Sequence, residues 1–182
     1  MELPKVRESI EVYKGKVFRL VRDLIEYKGK VSKKEYVEHP GAVAVIAINE
    51  EGKVILERQY RHPVKKWIWE IPAGTLEEGE DLESCVKREL EEETGYLVKN
   101  LRKVGSFYLA PGYSSEVIHV YLANVVRGGR IAREPGEMIE VREYEIEEAL
   151  NLIRKEEIKD AKTMIGLLLL KDFLKKKENG GK

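Results

Sequence analysis

The sequence predicts an α/β protein, and three features carry that expectation. Ala42 to Ile48 is apolar on both faces, as a central strand covered on two sides requires. Leu82, Val86 and Leu90 recur at i, i+4 and i+8, a helical stripe that must face a core. Strand-like and helix-like segments alternate along much of the chain. At 182 residues and 42% hydrophobic, the chain suits one globular domain with a sizeable core and a small appendage, not two domains of ordinary size.

In order along the chain, residues 10–13, 17–27 and 36–38 read as extended segments, with Gly15 and Gly29 marking turns between them. They form an N-terminal β region over residues 1–39. The main domain, residues 40–175, opens with Ala42 to Ile48 and a strand over 53–59 after the Glu51-Gly52 turn. Residues 67–71 read as a strand ended by Pro72. Ala73-Gly74 then leads through a polar loop into the helix that carries Leu82, Val86 and Leu90. Strands are expected over 103–109, 117–124 and 141–144, and helices over 147–154 and 159–175. Residues 176–182 are too polar and glycine-rich to fold alone and are expected to be a flexible tail.

Composition excludes several roles. With 33 basic and 33 acidic residues the net charge is zero, so neither a nucleic-acid groove nor a membrane surface is expected, and an anionic ligand must be handled locally. The single cysteine, Cys85, excludes an internal disulfide, and its place beside the helical stripe suits an inert packed thiol. With no signal-peptide pattern and no apolar run long enough to span a bilayer, the cytoplasm is the expected compartment. His39, His62 and His119 lack metal-ligand spacing and read as structural or surface residues.

The densest chemistry lies in Gly74, Glu80 and the run Arg88-Glu89-Leu90-Glu91-Glu92-Glu93-Thr94-Gly95. At about 100° per residue Glu89 and Glu93 share one helix face, Glu92 lies beside them, and Arg88 is one turn from Glu92. Two carboxylates held together at the edge of an apolar stripe repel each other unless protonated or bridged by a cation. Mg²⁺ is the natural bridge, a hard ion that takes carboxylate oxygens and shares its shell with water and phosphate. The alternative is a solvated, salt-bridged helix face, which an Arg88–Glu92 pair would also suit.

These residues resemble the Nudix box: glycine, five residues, glutamate, seven residues, then Arg-Glu-aliphatic-x-Glu-Glu-x-Gly-aliphatic. Only the last position departs, where Tyr96 replaces the aliphatic residue. Seven identities at about one in ten each would arise by chance roughly once in ten million placements. The resemblance implies an α/β/α sandwich with a mixed sheet and a Mg²⁺-dependent hydrolase, with Mn²⁺ as the alternative ion. It also implies that Glu89 and Glu93 are metal ligands, that Glu92 is a direct or water-mediated ligand, and that the Ala73 carbonyl completes the site. Arg88 would orient the glutamates.

A second motif, Ser106-Phe107-Tyr108-Leu109-Ala110-Pro111-Gly112-Tyr113-Ser114-Ser115-Glu116, resembles the downstream loop of ADP-ribose pyrophosphatases. Arg58-Gln59-Tyr60-Arg61 and Trp69-Glu70-Ile71-Pro72-Ala73-Gly74 resemble the same subfamily, and sugar-nucleotide relatives share parts of both. The likeness implies cleavage of ADP-ribose to AMP and ribose 5-phosphate, and a homodimer formed through the N-terminal region. Glu116, on a loop expected to be mobile, is the candidate general base, with the box glutamates as the alternative. Arg61 is expected to bind phosphate or ribose, Glu70 to lie at the substrate or metal edge, and Lys34 to reach a partner's site. Arg61 and Glu70 could equally form a structural ion pair, and Glu116 an exposed loop acid.

Overall fold

The computed structural model describes residues 1–179, and residues 180–182 of the expected tail lie outside it. Among the described residues two sheets are present. The first has three antiparallel strands in the order β1 (Lys5–Lys14), β2 (Arg19–Tyr27) and β3 (Lys30–Glu38). The second is mixed, with β4 (Ala42–Ile48) at its centre, flanked by β5 (Val54–Arg61) and β9 (Val117–Arg127). Its edges are β10 (Ile139–Tyr144) beside β5 and β8 (Tyr96–Tyr108) beside β9, while β6 (Lys66–Glu70) pairs with β5 and β7 (Ala73–Thr75) with β4.

The β4–β9 pair is parallel, in register from Ala42↔Ile118 to Ile48↔Asn124, which makes the sheet mixed. Strand alternation divides β4 between two cores. Ala42, Ala44 and Ile46 join Leu56, Ile158, Leu167 and Leu170 on the face covered by α2 (Ile146–Arg154) and α3 (Ala161–Asn179). Val43, Val45 and Ala47 join Ile55, Cys85, Val86 and Leu90 under α1 (Leu82–Thr94). This is the expected α/β/α layering. Leu90 is fully buried, and truncating such a leucine to alanine costs about 2–5 kcal/mol.

The element boundaries differ in instructive ways. Strand β8 begins at Tyr96, directly after α1, and not at Lys103. Polar Lys99, Asn100 and Arg102 hide its first half, and shifts in register between Val98 and Asn100 and between Lys103 and Gly105 break its alternation. Strand β3 starts at Lys30, because the Lys28-Gly29 turn, with both residues at positive φ, makes a tight hairpin with β2. Asp160 accepts the Thr163 amide and so starts α3, which continues past Lys175 to Asn179.

Candidate metal and phosphate site

Helix α1 is fixed at both ends by the residues that flank the acidic run. Asp81 is the N-cap, accepting the amides of Glu83 (3.0 Å) and Ser84 (3.1 Å). Gly95 ends the helix in the left-handed conformation (φ 73°), its amide reaching the Glu91 carbonyl. Arg133, in the segment between β9 and β10, donates to the Glu93 carbonyl at this end of α1 and to the Ile139 carbonyl.

Arg88 organises the acids. Its Nε and Nη2 grip both oxygens of Glu80 at 2.8 Å, and its Nη1 reaches Glu89 at 2.8 Å and Glu92 at 3.3 Å. A planar fork is suited to this multiple grip. The hydrogen bonds from Arg88 pull the Glu80 carboxyl down to about 2. The salt-bridged alternative is thus part of the same geometry, because the ion pairs gather the acids instead of dispersing them over a solvated face.

Glu89 and Glu93 turn inward. The Glu93 Oε2 accepts the Ala73 amide at 3.1 Å, which sets the backbone of β7 beside the helix. The Glu89 carboxylate lies over Gly74: a Cβ built there would stand 1.8 Å from Glu89 Cδ. Burial pushes the Glu89 carboxyl above its ordinary value, partly countered by Arg88. Burial, followed by the charges of Glu57 and Glu89, pushes Glu93 well up. Glu92 is more open than either.

This donor set fits a hard divalent cation. Two inward carboxylates with raised proton affinity and an adjoining peptide backbone are what such an ion neutralises. Among the described residues no three His, Cys, Asp or Glu side chains close into a cage.

The remaining expected residues are distributed unevenly. Arg61 and Glu70 form a two-point ion pair at 2.7 and 2.9 Å, and Lys162 of α3 also holds Glu70. Burial raises the Glu70 carboxyl, but Arg61 and Lys162 outweigh it and keep it below its ordinary value. Glu70 therefore anchors Arg61, whose side chain remains 41% exposed. Glu116 lies half-buried in the loop between β8 and β9, with no side-chain bond to the box acids. That loop is docked on β3: Val37 donates to the Tyr113 carbonyl (2.8 Å) and accepts from the Ser115 amide (2.9 Å). Lys34 is exposed on β3, opposite Asp23.

Sequence reasoning missed Glu57. It sits on β5 between Val141 and Glu70, with the parity of Ile55 and so on the α1 side of the sheet. An acid directly following the buried run Val54-Ile55-Leu56 was the available signal.

Fold and site together define an α/β/α protein with a helix-borne carboxylate cluster that fits a hard divalent cation. The NUDIX domain family model matches residues 38–165. The chain belongs to this family, the Nudix hydrolases. It is 46% identical over 169 residues to an ADP-ribose pyrophosphatase of Bacillus subtilis, covering 90% of this chain and 91% of that one. It is 41% identical over 178 residues to a methanol dehydrogenase activator of Bacillus methanolicus, covering 95% and 96%. A solved ADP compounds hydrolase shares the fold with a TM-score of 0.84 at 20% identity, over 97% of both chains. No described helix is long and apolar enough to cross a membrane.

Proposed function

We propose that this protein hydrolyses the pyrophosphate of ADP-ribose to AMP and ribose 5-phosphate in a Mg²⁺-dependent reaction, with Mn²⁺ as an alternative ion. The observation that carries the reading is the single fork of Arg88 gathering Glu80, Glu89 and Glu92, while Glu93 binds the backbone that precedes Gly74. The 46% identity to the ADP-ribose pyrophosphatase of Bacillus subtilis supports the choice of substrate.

Glu89, Glu93, Glu92 and the Ala73 carbonyl would hold the metal, and Arg88 keeps the carboxylates oriented. Bound metal would neutralise the phosphoryl oxygens and acidify the attacking water. Glu116 takes the proton as the water oxygen bonds to one phosphorus, and the bridging P–O bond breaks with its electron pair passing to the departing phosphate. Arg61, steadied by Glu70, binds a substrate phosphate or ribose. A homodimer formed through residues 1–39 would bring Lys34 to the partner's site, and the cytoplasm is the compartment assigned.

The test is to incubate the protein with Mg²⁺ and ADP-ribose, beside several nucleoside diphosphate sugars, and to quantify AMP with and without chelator. Rapid, chelator-sensitive release favouring ADP-ribose is expected. Faster cleavage of another sugar nucleotide would keep the chemistry and move the substrate, while absence of any cleavage would favour a nucleotide-binding module.

A further inference from the structure

Glu57 is 1% exposed, and its Oε1 has no hydrogen-bond partner. An unpaired carboxylate oxygen in the interior is costly unless a proton or a cation meets it. The neighbouring cations are committed elsewhere. Arg133 donates to the carbonyls of Glu93 and Ile139, and Arg61 and Lys162 hold Glu70, with Lys162 also 3.1 Å from Asp160. Across from Glu57, on the same side of the sheet, stands Glu93, itself 4% exposed with one oxygen on the Ala73 amide. Two buried acids on one side of the sheet, one of them with an oxygen that no hydrogen bond meets, make a place that a cation can occupy.

We propose that Glu57 is a further carboxylate of the metal centre, contributed by strand β5 and not by the box helix, and that it engages a divalent cation together with Glu93. The inference rests on the assignment of Glu93 as a ligand. It enlarges the centre from one helix and one backbone turn to a site spanning the helix and the sheet. A ligand from β5 would tie α1 to the sheet when metal binds, so metal should stabilise the fold as well as supply charge.

The experiment is Mn²⁺ binding to the full chain without substrate, followed by the signal of free Mn²⁺ in electron paramagnetic resonance, for wild type, Glu57→Gln, Glu57→Leu and Glu93→Gln. Thermal melting with and without Mn²⁺ accompanies it and shows that each variant folds. Both Glu57 variants are expected to bind Mn²⁺ about 10-fold or more weakly, the scale on which supporting groups act at metal sites. Their metal-free melting temperature should hold or rise, because a buried carboxyl with an unpartnered oxygen has been removed, while the Mn²⁺-induced rise shrinks. Unchanged Mn²⁺ affinity in both Glu57 variants, with affinity lost in Glu93→Gln, would overturn the role of Glu57 and leave the box assignment standing. Unchanged affinity in Glu93→Gln as well would overturn both, and would mean that a proton alone satisfies Glu57.

Discussion

The carboxylate of Glu89 occupies the space that a side chain at Gly74 would fill, with Cδ 1.8 Å, Oε1 2.1 Å and Oε2 2.3 Å from where that Cβ would stand. The glycine of the motif is therefore a seat for the glutamate fifteen positions later, and its conformational freedom is incidental. In Gly74→Ala the flexible end of Glu89 must swing away. The variant is expected to fold with a melting temperature close to wild type but to lose about 100-fold in turnover, the scale of a 1 Å misplacement. Circular dichroism and a steady-state assay on the same sample check the two halves separately.

Glu80 and Arg88 make a pH-dependent contribution to stability. The hydrogen bonds from Arg88 hold the folded Glu80 carboxyl down at about 2, below its ordinary value of 4.5. A depressed folded value stabilises above the unfolded value and is lost as pH falls through the folded one. Urea unfolding of wild type and Glu80→Gln should therefore differ most above about pH 5 and converge as the pH approaches 2. A difference constant across that range would mean that Glu80 acts by shape alone.

Cys85 is fully buried, and burial, followed by the neighbouring Glu80, pushes its thiol up to about 12. The thiolate is the reactive form, so a disulfide reagent at pH 8 should leave the native protein unmodified and label it once denatured. Rapid labelling of native protein would show that the α1 face opens.

Glu116→Gln should lower the maximal rate by about 100-fold, at the lower end of what general-base removal costs, with a smaller change in KM. An unchanged maximal rate would return the proton transfer to a box glutamate.

The box was legible because its side chains act through spacing along one helix, and helical spacing can be read directly from the sequence. The partner of Arg88 was less so: the sequence pointed to Glu92, one turn away, yet the strongest grip is on Glu80 in the preceding loop. The central strand was legible because both its faces are apolar. Glu57 was hidden because one acid at the end of an apolar run looks like the point where a strand meets solvent. Docking of the loop before Glu116 onto Val37 was illegible for a different reason. It is made by backbone groups, which every residue carries, so no side-chain pattern announces it.

The parallel partnership of β4 with β9 has a consequence for how the protein is made. β4 leaves the ribosome early, apolar on both faces, and its full-length neighbour is translated only after the box helix and all of β8. Pairing so distant in sequence is slow, and an open apolar strand edge invites pairing with other chains. A transcript cut before Asn124 should therefore yield an aggregating fragment and not a smaller working enzyme, with the acidic helix present but its sheet unfinished.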